Sequence, residues 1–181
     1  MKSTYNLKSL YSNTVNSIRA DWIEQVEKGD DSTLELTDSY FDYLMSGNNF
    51  GDLLARSNQN TYMSIYDVSN GLVVGIAEII YARQGAKSIC KIMDISHAPC
   101  ITNLDDQAYL AKSFDILISI LMYMLKINNS TKHGITKVYA RDDAAQVTIR
   151  EINDNVAPDA FKEIGFKMKL SGHRWLEFEK I

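Results

Sequence analysis

Four side chains in the middle of the sequence could carry acid–base chemistry. Glu78 interrupts the apolar run Leu72–Arg83, in which burial of the carboxyl group would raise its pKa towards neutrality. Asp94 interrupts a second apolar run, and His97 lies just beyond it. A carboxylate or an imidazole whose pKa is near neutral is suited to take a proton from a substrate. Tyr139, in a third apolar run, could donate a proton.

Each of these residues also has an ordinary structural interpretation. Glu78 fits the solvent face of an alternating strand, and Asp94 fits a strand edge or a loop. A lone histidine such as His97 is usually structural, and Tyr139 fits a packed strand residue. The residue types alone leave both interpretations open.

Signatures of other chemistries are missing from the sequence. It contains no nucleophile elbow, no Walker loop and no dinucleotide-binding glycine motif. The two cysteines, Cys90 and Cys100, lack the CxxC spacing of a zinc site, so we expect no metal and interpret both as reduced thiols in or near the core. Cys100 as an acyl-carrying nucleophile is left open, although the sequence positions no base beside it.

The composition predicts a folded protein without a nucleic-acid or membrane partner. The chain has 181 residues, 45% of them hydrophobic, and a formal charge of −4, which would not attract nucleic acid or an anionic membrane. The polar segment 1–11 lacks the apolar region of a signal peptide. The most apolar run, Ile116–Ile127, is shorter than the ~20 residues that span a bilayer. We therefore expect a cytoplasmic protein.

Helical periodicity dominates the first part of the chain. Apolar residues recur at helical spacing over Leu7–Val26, and Gly29 would end that helix. The alternating segment Thr33–Thr37 predicts a short strand. Asp38 would then cap a second helix, and a further short helix would pass through Leu53–Leu54.

The middle of the chain predicts three antiparallel strands followed by a long buried helix. The strand-like runs are rich in β-branched and aromatic residues and are separated by short turn signals. They are Thr61–Val68, Leu72–Arg83 and Ser88–Ile95. Thr102–Asn128 predicts one helix that is apolar almost all round in its second half, so it should lie in the core.

The C-terminal part predicts a strand, a broken helix and a hairpin. Ile135–Ala140 predicts a strand, and because it follows a strand and a helix it would run parallel to the preceding strand. Helix is predicted from about Ala144, with a break before Pro158. Lys167–Leu170 and Trp175–Glu179 predict a closing hairpin.

The segment Asn153–Phe166, NDNVAPDAFKEIGF, resembles a pattern of the GNAT superfamily of acyl-CoA-dependent N-acyltransferases, N-x-x-A-x-x-x-Y-x-x-x-G-F. Ala157, Gly165 and Phe166 match in place, and the order of the predicted elements is also similar to that family. The resemblance implies an α/β (α+β) fold with a mixed, mainly antiparallel sheet, a central long helix and a splayed strand pair. It covers roughly Thr33–Ile181.

With no repeat or linker in the chain, we expect one domain over residues 1–181. Residues 1–30 would be an added N-terminal helix, because the resemblance begins after them.

The resemblance also implies a binding site for acetyl-CoA or another acyl-CoA. The backbone around Met93 and Ile95 would bind the pantetheine arm, and the opening of the long helix would bind the pyrophosphate. The residues implied at that opening are Gln107, Ala111, Lys112 and Ser113. We expect the strands that contain Met93 and Tyr139 to separate and to leave a cleft at this helix end.

Two features depart from the family pattern. Asp105 and Asp106 stand just before the expected phosphate position, where they would repel a pyrophosphate unless they serve only as helix caps. Phe161 stands where many family members have a tyrosine that protonates the leaving thiolate. Phenylalanine has no proton to donate.

The resemblance therefore implies a transfer of an acetyl or other acyl group to a small-molecule amine or a protein amino group. Asp94 or Glu78 would act as the base, with His97 as a further catalytic or substrate-binding group and Tyr139 as a proton donor. The alternative is a GNAT-like binding or regulatory module without catalysis, which the two departures favour. The sequence leaves the oligomeric state, including a homodimer, open.

Overall fold

The computed structural model of the protein describes residues 4–155 and 158–181. The elements of the first half are β1 Tyr5–Ser9, α1 Ser12–Glu24, α2 Asp31–Gly47, β2 Asn60–Asp67, β3 Val73–Gln84 and β4 Lys87–His97. Those of the second half are α3 Pro99–Thr102, α4 Asp106–Asn129, β5 His133–Tyr139, α5 Asp143–Asn155, α6 Pro158–Glu163, β6 Phe166–Ser171 and β7 Trp175–Lys180.

All the described strands form one sheet in the order β1-β2-β3-β4-β5-β7-β6. Its strand pairs are antiparallel except for β4 and β5, which the long helix α4 connects as a parallel pair. The expected fold class, a mixed and mainly antiparallel sheet with a long helix, is confirmed. The meander β2–β4 and the closing hairpin β6–β7 also agree with the sequence prediction.

The parallel pair is joined along only part of its length. Its register runs from Lys87 opposite His133 to Ile92 opposite Val138 and stops there. Strand β4 continues to His97, and among residues 4–155 and 158–181 this last part pairs with β3 alone. The register on β3 shifts between Glu78 and Ile79, which leaves Met93 as an extra residue, a β-bulge that bends β4. The splayed strand pair is therefore confirmed.

The helices cover the two faces of the sheet separately. Residues of α4, α5 and α6 share one hydrophobic core with the sheet, centred on side chains such as Ile92 and Ile120. Residues of α1 and α2 form a second core on the other face, where the indole Nε1 of Trp22 donates a hydrogen bond to the carbonyl of Val73 at 2.9 Å. The faces are called the α4 face and the α2 face below.

A buried polar network closes the parallel pair at the C-terminal end of α4. The side-chain amide of Asn128 donates to the carbonyl of Ile135 at 2.9 Å and to Thr136 Oγ1 at 2.7 Å. Its carbonyl oxygen accepts from Ser88 Oγ at 2.7 Å. One side chain thus ties the helix to both parallel strands, with its donors and acceptor satisfied inside the core.

The beginning of the chain differs from the sequence prediction. Residues Tyr5–Ser9 form β1, which pairs with β2, and the predicted helix Leu7–Val26 begins only at Ser12. The predicted strand Thr33–Thr37 is wrong, because Asp30 accepts from the backbone N–H of Thr33 and caps a helix that passes through it.

Two further predictions about helices need correction. The helix through Leu53–Leu54 is absent, because Asp52 Oδ1 accepts from the N–H of Leu54 and of Ala55 and holds a turn. The single helix Thr102–Asn128 is two helices, α3 and α4, since Asp105 caps a new helix start.

Gly134 provides a test of the closure of the parallel strands at Asn128. A Cβ atom there would lie 2.5 Å from the Asn128 carbonyl oxygen, which is too close for any atom pair of this kind. We expect Gly134→Ala to lower the free energy of unfolding by about 1–3 kcal/mol, the usual cost of overpacking, as measured by urea denaturation. Gly47→Ala is the control, since its Cβ would meet only the end of the Asn49 side chain. Equal stability of the two variants would contradict this description.

Candidate active site

Two carboxylates lie side by side on the α2 face, next to the β-bulge. Glu78 on β3 is directly opposite Asp94 on β4, and on its other side it is opposite Tyr62 on β2. The side-chain amide of Asn60 donates a hydrogen bond to Glu78 Oε1. The structure therefore brings together the two acids that the sequence singled out.

The surroundings of Glu78 favour its protonated form. Its pKa is raised, first because the carboxyl group is partly buried and second because the negative charge of Asp94 is near. Arg141 and the amide of Asn60 act in the opposite direction. On balance the pKa of the Glu78 carboxyl group is raised above that of an exposed glutamate, towards neutral pH. A base that takes up a proton requires such a pKa.

Arg141 bridges the gap between the separated strands. It lies two residues after the end of β5, and its Nη1 donates to Asp94 Oδ2 at 2.5 Å. Asp94 lies beyond Ile92, the last residue of β4 that pairs with β5, so a side-chain ion pair links the two sides of the gap where the described backbone ladder has ended. The sequence analysis missed Arg141, whose position just after a predicted strand was the only signal available.

Two tyrosine phenols lie near the carboxylate pair. Neither was predicted from the sequence as a site residue. Tyr40 on α2 is hydrogen-bonded to Ser96, and burial raises the pKa of its phenol. The pKa of Tyr62 is raised to about 12, first by burial and then by the charge of Glu78. Both hydroxyl groups therefore remain protonated donors. The strand alternation around Tyr62 could have indicated that it faces Glu78, whereas Tyr40 comes from a distant helix.

His97 lies apart from the carboxylates, on the α4 face. Its ring meets that of Tyr109 on α4 edge-on, with centroids 5.7 Å apart. Its Nε2 atom is shielded from solvent and has no hydrogen-bond partner among the described residues. Burial lowers the pKa of His97 to about 4, against a smaller raising effect of Asp94. The imidazole is thus neutral near pH 7.

Tyr139 lies at the end of β5, at the mouth of the gap. Its ring packs against Trp175 of β7 with centroids 4.8 Å apart. The structure places it at the expected strand end.

The open edge of β4 offers unpaired backbone groups. In an antiparallel pair, every second residue exchanges backbone hydrogen bonds with the partner strand. Because the Ala98 N–H donates to the Val74 carbonyl, Ser96 and Asp94 are the next residues of β4 that bond to β3 in this alternation. The N–H and carbonyl of Ile95 consequently point into the gap. Met93 is the bulged residue beside them.

The opening of α4 differs from the expected anion-binding turn. Asp105 is the N-cap, and its Oδ1 accepts from the N–H of Ala108 at 2.9 Å, while the backbone N–H of Tyr109 bonds to the Asp105 carbonyl. Gln107 lies exposed in the first turn. The helix-capping interpretation of Asp105 is thus confirmed.

Three other residues implied at this opening lie elsewhere. Ala111 and Ser113 lie beyond the first turn, where backbone N–H groups are used within the helix. Ser113 Oγ is buried and has no hydrogen-bond partner among the described residues. Lys112 points towards β1, where it is hydrogen-bonded to the hydroxyl of Tyr5.

Other residues named by the sequence analysis have structural surroundings. Phe161 is buried against Phe178, with centroids 4.8 Å apart, and Ala157 lies outside the described residues. The pKa of the Cys100 thiol is raised by burial, which opposes the thiolate that a nucleophile needs. Among residues 4–155 and 158–181, no group of three or more His, Cys, Asp or Glu side chains could hold a metal ion. No helix in this part of the chain is long and apolar enough to cross a membrane.

No protein-family model and no curated protein matches the sequence. Solved structures with a similar fold include a probable acetyltransferase of the GNAT family from Chromobacterium violaceum, 12% identical, covering 100% of this chain and 89% of that one, with a TM-score of 0.48. A ribosomal-protein-S5-alanine acetyltransferase from Vibrio fischeri is 10% identical over 100% and 94% of the two chains, with a TM-score of 0.41. These likenesses concern the fold alone.

The buried imidazole of His97 gives a prediction about pH. Its pKa is about 4 in the folded protein and about 6.5 in an unfolded chain, so the stability it contributes is present above pH 6.5 and is lost as the pH falls through 4. We expect His97→Gln to reduce the loss of unfolding free energy between pH 7 and pH 4 by on the order of 2 kcal/mol, measured by urea denaturation at both values. The exposed His173→Gln is the control. An unchanged pH dependence in His97→Gln would contradict the assignment.

Proposed function

We propose that the protein transfers an acetyl or other acyl group from an acyl-CoA to an amine. The observation that supports this most is the open edge of β4, with a carboxylate pair on the adjacent strand positions. A thioester aligned along the Ile95 edge would end at the bulge, next to Glu78 and Asp94. The acceptor would be a small amine or a protein amino group.

Glu78 is the proposed base. An amine arrives as an ammonium ion near neutral pH and must lose a proton before it can attack a carbonyl carbon. The raised pKa of Glu78 suits this role, and the Asn60 amide orients the carboxylate. Asp94 supplies the negative charge that contributes to the raised pKa, while its ion pair with Arg141 holds it in position.

The open edge of β4 suits the pantetheine arm of the acyl donor better than the first turn of α4 suits its pyrophosphate. The unpaired N–H and carbonyl of Ile95 suit an amide-containing pantetheine arm, which can bind as an additional strand does. The first turn of α4 suits a pyrophosphate poorly, because the Asp105 carboxylate already accepts from Ala108 N–H and Asp106 adds a second charge. Acyl-CoA would supply the thioester, and Tyr139 is the proposed donor of a proton to the leaving thiolate.

A GNAT-like module without catalysis is the second candidate. The observation that favours it is the Asp105 carboxylate at the helix N-terminus, where a phosphate would otherwise bind. Acetylation of an amine separates the two candidates, and binding of acetyl-CoA is its precondition. Ligand at 100 times its Kd raises the free energy of unfolding by about 2.7 kcal/mol, which a thermal-shift titration detects.

Glu78→Gln tests the proposed base. We expect kcat for acetylation of a responsive amine to fall by about 10²–10⁴-fold, the usual contribution of a general base, while affinity for acetyl-CoA is unchanged. Asp94→Asn should shift the acidic limb of the kcat/KM pH profile to lower pH, because removal of its charge lowers the pKa of Glu78.

Glu35→Gln, on the exposed side of α2, is the matched control for Glu78→Gln. Retention of full kcat in Glu78→Gln would remove Glu78 from the mechanism. If the wild-type protein neither binds acetyl-CoA nor acetylates any amine of a broad panel, the second candidate replaces the first.

The charges at the opening of α4 give a separate prediction. Asparagine caps a helix about as well as aspartate, so the double variant Asp105→Asn/Asp106→Asn should remain folded. We expect its affinity for acetyl-CoA at low salt to increase, because two nearby negative charges are removed. The control is Asp31→Asn, at the first turn of α2. Unchanged affinity in calorimetry would show that these carboxylates do not face the ligand.

A further inference from the structure

An aromatic ring flanked by two ammonium groups lies on the α2 face, beyond the part that α1 and α2 cover. The Nζ atoms of Lys91 and Lys137 each lie 5.9 Å from the ring centroid of Trp175. The two lysines are directly opposite each other on the parallel strands β4 and β5. Like charges at such positions repel, so this arrangement costs stability unless an anion compensates for it.

The protein compensates for only one of these charges. Lys137 Nζ lies 2.6 Å from Glu177 Oε1, and Lys169 lies 3.5 Å from the other oxygen of the same carboxylate. No carboxylate of the described residues forms an ion pair with Lys91. Lys91 is partly buried, so its charge is screened by solvent less than that of an exposed lysine.

The β-bulge puts Lys91 on the same face of the sheet as the carboxylate pair. Residues three apart on a regular strand point to opposite faces. The extra residue Met93 changes this, so that Lys91 and Asp94 point to the same face. Lys91 is opposite Ile80 and Asp94 is opposite Glu78, two positions on the same face of β3. Along the strands Lys91 and Asp94 are only about 7 Å apart, because their partners on β3 are two residues apart. The Trp175 ring, however, belongs to a strand two positions away from β4, about 10 Å from Asp94 at about 4.8 Å between neighbouring strands.

We infer that Lys91 and Trp175 bind a carboxylate of the acceptor whose amine is acylated beside Glu78. The acceptor class is therefore an amine that carries a carboxylate about 7–10 Å away, the length of a short peptide with a free carboxyl end. The ammonium group pairs with the carboxylate, and the indole ring covers the adjacent apolar part of the acceptor. This inference rests on the proposed function, because Glu78 defines the position of the amine.

Triglycine and triglycinamide are matched probes, since they differ in the terminal carboxylate and its charge. Binding to the full chain can be followed by the indole N–H signal of Trp175 in NMR spectra, assigned by its loss in Trp175→Phe and distinct from that of Trp22. We expect triglycine to shift this signal with a Kd about 10- to 100-fold lower than that of triglycinamide, as for a hydrogen bond to a charged group. Lys91→Met should remove this preference, whereas Lys87→Met, exposed on the same strand, should keep it.

Acetylation of the same probes distinguishes failure of this inference from failure of the proposed function. Equal binding of the two probes, or a preference that survives in Lys91→Met, overturns the inference. Turnover of both probes at equal kcat/KM leaves the acyltransferase intact and also overturns it. Selective binding of triglycine without turnover of any amine supports the carboxylate site and overturns the proposed function.

Discussion

The structure depends on a pair of parallel strands that is closed at one end and open at the other. Asn128 at the end of α4 satisfies its side-chain hydrogen bonds with Ser88 of β4 and with Ile135 and Thr136 of β5. The backbone ladder ends at Ile92, and the bulge at Met93 bends β4 away from it. Because a buried, satisfied network is costly to break, it holds the two strands together at the closed end.

The open end concentrates charge where the ladder stops. Asp94, two residues past the last β4–β5 pair, forms an ion pair with Arg141 from the segment after β5, and the charge of Asp94 helps to raise the pKa of Glu78. The same bulge that ends the pairing turns Asp94 and Lys91 to one face. A single extra residue in β4 thus puts Asp94 opposite the proposed base Glu78 and on the same face as the proposed carboxylate site at Lys91.

Strands and turns that follow one another directly along the chain could be predicted from the sequence. Contacts between segments that are far apart in the sequence could not. The meander and the closing hairpin follow from alternation and turn residues, and the proximity of Glu78 to Asp94 follows from the meander. The strand Tyr5–Ser9 was missed because its apolar residues also fit the spacing of the helix behind it. The partners Tyr40 and Arg141 come from a helix and a strand end far along the chain, for which one sequence gives no pairing signal.

The most direct test of this account is a map of backbone amide shifts in NMR spectra as acetyl-CoA is added. We expect the largest changes at the Ile95 N–H on the open edge, with smaller ones at the neighbouring bulge. A groove of about 720 Å³ between β1 and α4, lined by residues that include Leu7 and Met122, provides the internal comparison. Changes confined to that groove, with Ile95 unaffected at saturation, would contradict the assignment of the open strand edge as the acyl-donor site.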